Sequence, residues 1–291
     1  HLYARRQRQM CIRDSHQTVK PGNFKGNYIH YGVREHAMCG IMNGLALHSE
    51  LIPYGGTFLI FSDYCKPSIR LAAIMKQRVI YVMSHDSIGL GEDGPTHQPI
   101  EQLAGLRSIP DLNVFRPADT AETFECWDLA AISIKDQPSI IAVSRQKVNP
   151  IRKEFTKENK CSAGAYEVSR TKGEIDLTIL ASGSEVELAI EVSQKLAIEK
   201  IYSKVISMPC HELFDIQKKD YKSKILNETK YKISIEASTT DYWKKYIGEN
   251  GMTFGIDNFG KSAPYKEIYE HFGLTSKNIV KKVKEMINNK T

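Results

Sequence analysis

Between positions 84 and 99 the chain reads SHDSIGLGEDGPTHQP. Two histidines, two aspartates and a glutamate stand there among glycines, a composition that suits neither a helix nor a strand. Three chemistries fit. His85, Asp86, Glu92, Asp93 and His97 have the ligand types of a zinc or manganese site, although their irregular spacing matches no standard metal pattern. The aspartates and glycines could serve turns alone. Or the imidazoles and a carboxylate could hydrogen-bond a polyhydroxylated ligand. Position favours a site: the segment directly follows RVIYVMS (78–84), a dense apolar run, and in open parallel sheets ligands gather at the carboxyl ends of strands.

Other residues carry weaker messages on their own. Glu35, in YGVREH, stands where a predicted strand gives way to a helix; alone it reads as an acid stabilising a helix N-terminus. Phe58, Phe61 and Tyr64 recur at threes in FLIFSDY, which puts them on one side if the chain turns helical there. Rings of this kind usually mean core. Arg145, in AVSRQ after a strand, reads as a surface arginine. No Ser–His–Asp arrangement is evident.

The elements that must position these groups alternate. Predicted strands are NYIHY (27–31), GTFLIF (56–61), RVIYVMS (78–84), LNVFRP (112–117) and PSIIAVS (138–144), with helices over 34–50, 68–77 and 118–134 between them. That order argues for parallel βαβ units. After a polar, charged linker at 149–164 the alternation resumes: strands DLTILASG (176–183), IYSKVISMP (201–209) and YKISIEA (231–237), a helix over 184–200 with Ser184 as N-cap, and an amphipathic helix over 278–289. The expected fold is α/β, with two domains: a mostly parallel sheet flanked by helices over 22–155, then a smaller α/β domain over 156–291. Residues 1–21 open with HLYARRQRQMCIRDS. No helical or strand period organises that stretch, and it is set apart as a leader, disordered or artefactual.

The chain has 291 residues, 41% hydrophobic and 25% charged, with a net charge of +6. That is an ordinary globular mix, long enough for two cores. The excess lysines form no stripe interleaved with aromatics, so nucleic acid is not an expected partner. The six cysteines include no CxxC pair, which suits a reduced, cytoplasmic chain. Apolar runs stay far below the roughly 18 residues of a membrane span, so no membrane is expected, and no signal-peptide core is present.

SHDSIGLGEDGPTHQPIEQL closely resembles the signature loop of the transketolases, thiamine-diphosphate enzymes. GNYIHYGVREHAMCGIMNG, GGTFLIFSDY and LNVFRPAD resemble that family's pyrimidine-binding domain; ASGSEVELA, VISMPCHELFD and DYWKKYIGENG resemble its C-terminal domain. The likeness runs from about Gly22 to the end. It implies that Glu35 hydrogen-bonds the aminopyrimidine of thiamine diphosphate, with a carboxyl whose pKa burial raises, and that Phe61, Phe58 and Tyr64 form the pocket of that ring. It further implies that His85, Asp93 and His97 line a sugar channel, His85 joining in proton transfer, and that Arg145 grips the substrate phosphate. The implied reaction transfers a two-carbon ketol unit from a ketose phosphate to an aldose phosphate, as in the pentose phosphate pathway and the Calvin cycle. The family's diphosphate-binding N-terminal domain, which holds Mg2+ or another divalent cation through a GDG motif, has no counterpart here; GEDG (91–94) belongs to the substrate loop. The chain is therefore expected to be the C-terminal part of such an enzyme or a split subunit. It would be inactive alone and work within a homodimer or heterotetramer beside a diphosphate-binding domain or subunit, with no metal ligand of its own. Dihydroxyacetone synthase, a β-type subunit of another thiamine enzyme, and a non-catalytic transketolase-like partner stay open as alternatives.

Overall fold

The computed structural model describes residues 17–152, 154, 156–226 and 229–288. Most of the leader set apart above lies outside them; of its described part, Thr18 forms a single bridge with Tyr28. NYIHY is not a strand. Gly32 turns with φ +68, and Arg34 donates to the Tyr31 carbonyl, so the backbone serves a turn rather than a ladder.

The first domain is a four-stranded, fully parallel sheet in the order β1-β2-β4-β3, built from β1 (Tyr54–Phe58), β2 (Ile80–Ser84), β3 (Asn113–Phe115) and β4 (Ser139–Val143). Helix α1 (Glu35–His48) and helix α2 (Ser62–Ile74) pack together against it. Met38, Cys39, Met42, Ile69, Tyr81 and Leu103 share one core there. A shorter helix, α3 (Gln102–Arg107), joins that layer, and α4 (Thr120–Asp128) packs on the opposite face of the sheet, where Cys126 meets Ile80, Phe115 and Ile141. The sequence predicted GTFLIF as one strand, but the strand stops at Phe58 and Leu59–Phe61 form a 3-10 turn leading into α2. The helix predicted over 118–134 is α-helical only to Asp128, after which Leu129–Ser133 widen into a π-turn. Its true N-cap is Asp119, whose side chain accepts from the Glu122 amide.

The second domain has five strands in the order β5-β7-β6-β8-β9: β5 (Tyr166–Arg170), β6 (Leu177–Ala181), β7 (Ser203–Ser207), β8 (Tyr231–Ile235) and β9 (Met252–Phe254). All pairs are parallel except β5 with β7. Around it lie α5 (Glu185–Ile198), α6 (His211–Asp215), α7 (Lys219–Leu226), α8 (Lys244–Ile247), α9 (Tyr265–His271) and α10 (Ser276–Asn288). Ser184 does not cap α5. Its backbone is already helical, and its hydroxyl donates to the Glu185 carboxylate at 2.8 Å. Among the described residues no helix is long and apolar enough to cross a membrane.

The domains are joined through the end of β3. Phe115 bridges to Cys210, the Arg116 amide donates to the Pro209 carbonyl at 2.8 Å, and the Gly183 amide donates to the Arg116 carbonyl at 3.0 Å.

Candidate functional site

The register of the first sheet places its site. Phe58 pairs with Ser84 and Ser84 with Val143, so the carboxyl ends of β1, β2 and β4 lie in line. Phe58 ends β1, His85 follows β2 and Arg145 follows β4, on the edge where parallel sheets bind ligands.

From Phe58 the chain enters the 3-10 turn, where side chains three apart eclipse one another. The spacing of 58, 61 and 64 therefore becomes a ladder of rings. Phe58 and Phe61 lie 5.8 Å apart with planes 10° from parallel. Phe61 and Tyr64 lie 5.8 Å apart at 28°. Phe58 and Phe61 are half-buried and Tyr64 is exposed. The imidazole of His85 stacks on Phe58 at 3.6 Å, and His97 meets Phe61 edge-on at 5.6 Å. Four aromatic planes and a fifth ring thus form one surface from three separate segments.

Both histidines are held through the same nitrogen. Nδ1 of His85 is 2.9 Å from the Ser84 hydroxyl, and Nδ1 of His97 is 2.9 Å from the Thr96 hydroxyl. Neither Nε2 has a hydrogen-bond partner among the described residues. Burial lowers the His85 pKa below its ordinary 6.5; Arg145 and His97 push the same way and Asp93 opposes them. These charges act on His85 because the four predicted residues share one neighbourhood, with Asp93 and Arg145 exposed at its rim.

Glu35 is the first residue of α1 and is half-buried. Among the described residues no hydrogen bond holds its carboxylate, and no ring contact joins it to the ladder. It is linked through packing instead. One turn on, Cys39 meets Cys65, and that contact, burial and the charge of Glu35 raise the Cys39 pKa. Cys65 in turn points back at the Phe61 carbonyl.

Asp86 takes no part in the surface. It is buried and accepts from Nε of Arg116 at 2.9 Å. With Asp86 turned inward, the five-residue metal reading of the loop loses a ligand; among the described residues no group of three or more His, Cys, Asp or Glu is placed to hold a metal ion. Sequence reasoning passed over Arg116 itself, which is fully buried. Its Nη1 reaches Glu185 at 2.5 Å and the Ser182 carbonyl at 2.9 Å in the second domain. The only sequence signal was a cation ending an apolar strand before Pro117.

Comparison with known proteins identifies the two halves. Residues 7–150 match the family model of the transketolase pyrimidine binding domain, and 164–275 match that of the transketolase-like C-terminal domain. A transketolase of Sinorhizobium medicae is 50% identical over 272 residues, covering 93% of this chain and 39% of its own length. One of Aquifex aeolicus is 47% identical, covering 89% and 38%. The solved transketolase of Leishmania mexicana superposes with a TM-score of 0.88 at 41% identity, over 94% of this chain and 40% of its own. A protein described as a split gene transketolase, inactive beta4 tetramer, shares the fold at 23% identity and a TM-score of 0.75, over 92% of this chain and 85% of its own. The chain thus spans about two fifths of the length of the curated relatives it matches.

Proposed function

The chain belongs to the transketolase family, and from that premise we propose that it supplies the aminopyrimidine- and sugar-facing half of a thiamine-diphosphate site for ketol transfer. The observation that carries this reading is the ring ladder Tyr64–Phe61–Phe58–His85 at the carboxyl edge of a parallel sheet. A flat heteroaromatic ring needs planar apolar faces and an acid. Phe58 and Phe61 offer the faces, and Glu35 offers a carboxylate that no hydrogen bond occupies among the described residues. The residues fit the cofactor. When bound, thiamine diphosphate would supply the carbon nucleophile for the ketose carbonyl.

The chain's own residues do the rest. Glu35 would hold the aminopyrimidine by a hydrogen bond to a ring nitrogen. His85, kept neutral at pH 7 by its lowered pKa, accepts and returns a hydroxyl proton at Nε2. His97 presents its Nε2 alongside. Asp93 accepts a hydrogen bond from a substrate hydroxyl, which an epimer would leave unpaired. Arg145 holds the phosphate with paired donors at the rim.

The diphosphate and its divalent cation call for a second domain, and α1 indicates where one docks. EHAMCGIMNGLALH is apolar nearly all round, the pattern of a helix covered on every side, yet Ala37, Gly40, Ile41, Gly44 and Leu47 are exposed. Leu71 and Ile74 of α2 are exposed beside them. We place the diphosphate-binding domain or subunit on this face, in a homodimer or heterotetramer, acting on sugar phosphates of the pentose phosphate pathway or Calvin cycle in the cytoplasm.

The test is reconstitution with a transketolase diphosphate-binding domain, thiamine diphosphate and Mg2+, with ketol transfer as the assay. Glu35→Gln should cut turnover by about a hundredfold or more with the fold intact. Equal turnover of parent and variant would remove Glu35 from the mechanism, and turnover by the chain alone would refute the two-part site. Preference for formaldehyde as acceptor would replace the reading with dihydroxyacetone synthase.

A further inference from the structure

The loop that bears His85, Asp93 and His97 is moulded by the second domain. His85 has φ +62, a left-handed backbone that costs a non-glycine residue about 1–2 kcal/mol. Such a residue persists only where its surroundings over-determine it. What determines it lies in the next two positions. Asp86 is held by Arg116 Nε at 2.9 Å. Arg116 is locked in turn by the Glu185 carboxylate and the Ser182 carbonyl. Ser87 accepts from the Gly89 amide at 3.1 Å, which closes the turn that follows.

Tyr269 and Glu185 are one unit. The Tyr269 hydroxyl donates to Glu185 Oε1 at 2.7 Å, beside Ser184 at 2.8 Å. Glu185 Oε2 accepts from Arg116 and from the Ala237 amide at 3.0 Å. Every bond to this carboxylate other than that of Arg116 comes from the second domain. Further along the loop, Gln98 Nε2 bridges the Gly91 and Lys261 carbonyls at 2.8 and 2.9 Å, and Ser262 donates to the Glu92 carbonyl.

We propose that Glu185 and Tyr269 are positioning residues for His85, holding through Arg116 and Asp86 the strained backbone that aims its imidazole into the site. The proposal rests on the reading of His85 as a site residue, but its test needs neither cofactor nor partner. Arg116 suits the role by chemistry. A planar guanidinium fixes direction as well as distance between Asp86 and Glu185.

The experiment follows ring-labelled histidine by NMR in the full chain, together with amide exchange at Gly89. The parent is compared with Glu185→Gln, Tyr269→Phe and Trp243→Phe. Trp243 serves as control because its Nε1 bonds the far side of the same network, at Glu236, 2.7 Å away. The groups facing His85 are Arg145, Asp93, His97 and Phe58. In the parent, burial should hold its midpoint below 6.5. Glu185→Gln and Tyr269→Phe should both move it towards 6.5 as the loop relaxes out of the site, and should speed Gly89 exchange by about tenfold. Trp243→Phe should lower the melting temperature and leave both readings at parent values. If Glu185→Gln does not fold, Tyr269→Phe, which removes one hydroxyl, carries the test. Parent-like midpoint and exchange in Tyr269→Phe, or an equal shift in Trp243→Phe, would overturn the proposal. Loss of ketol transfer without these changes would count against it too, while leaving the function reading standing.

Discussion

Arg107→Met weighs the seam between the two domains. Arg107 closes α3 in the first domain, and its Nη1 and Nη2 donate to the two oxygens of Glu236 at 2.8 Å each. The two side chains are 0% and 1% exposed. Glu236 also accepts from Trp243 and Ser182, and Arg116 lies 3.6 Å away. Removing Arg107 takes two charge-assisted bonds from a carboxylate that water cannot reach. Breaking one side of such a pair costs about 3–5 kcal/mol, a midpoint drop of roughly 6–20 °C for a chain of this size. The double variant Arg107→Met/Glu236→Gln should recover part of that loss, because no buried charge is then left short of its partner. The pH dependence separates charge from packing. Burial alone would raise the Glu236 pKa; Arg107, its hydrogen bonds and Arg116 outweigh burial and hold the carboxyl well below its ordinary 4.5. The folded value lies below the unfolded one, so the stability from this group is present above 4.5 and is lost as pH falls towards the folded value. The deficit of Arg107→Met against the parent should therefore be full at about pH 7 and shrink below 4.5. Thermal and denaturant unfolding across that range measures it. A deficit that does not change with pH, or a double variant less stable than the single, would refute the reasoning.

Two further substitutions probe the same region. His211 is fully buried with both ring nitrogens unpartnered among the described residues, against Trp243 at 4.6 Å. Burial, then the Arg107 charge, hold its pKa well below 6.5, so stability should fall as pH drops through 6.5, where only the unfolded chain takes up the proton. His211→Phe should flatten that dependence and gain about 1–3 kcal/mol; an unchanged slope in denaturant midpoints would count against it. Gly183 has φ +59, and a Cβ there would stand 2.7 Å from Arg116 Cζ. Gly183→Ala should destabilise by more than the roughly 1 kcal/mol of backbone strain alone. Gly22→Ala, at φ +77 with open space around it, should show the strain without the clash, and equal losses at the two positions would argue that the guanidinium gives way freely.

The strands that sequence reading found most cleanly are those buried on both faces. RVIYVMS and DLTILASG are continuous apolar runs because helices cover both sides of a parallel sheet. It missed β5, an antiparallel edge strand whose residues Glu167 to Arg170 are exposed or half-buried, and β9, which has three residues. NYIHY has strand-like composition, but among the described residues it pairs only through the single bridge of Tyr28 to Thr18. At the site, the threefold spacing of Phe58, Phe61 and Tyr64 was legible because it matches the period of the turn that carries them. The sense of the loop was not. Asp86 and Asp93 look alike in sequence, yet one is buried on Arg116 and the other faces His85. Which way each turns is set by a guanidinium thirty residues away and a carboxylate sixty-nine residues beyond that. Local periodicity reports which face is buried; it carries no record of polar partners from another domain.

That difference bears on why the seam is charged at all. Apolar residues of similar volume would join two domains as firmly as a buried ion network, since desolvation cancels much of the attraction. They would not fix an angle. Leucine or methionine in place of Arg116 could slide against β6 and α5 at little cost, and Asp86 would then turn with the loop. A fork bonded at once to Asp86, Ser182 and Glu185 allows one arrangement. The residues that would meet the ligand are in the first domain, and the fork that fixes the loop carrying His85 is itself anchored in the second. Truncation after β4 should therefore cost more than the stability of the missing domain: the remaining sheet would keep its rings at 58, 61 and 64 and release the imidazole at 85 from its left-handed backbone.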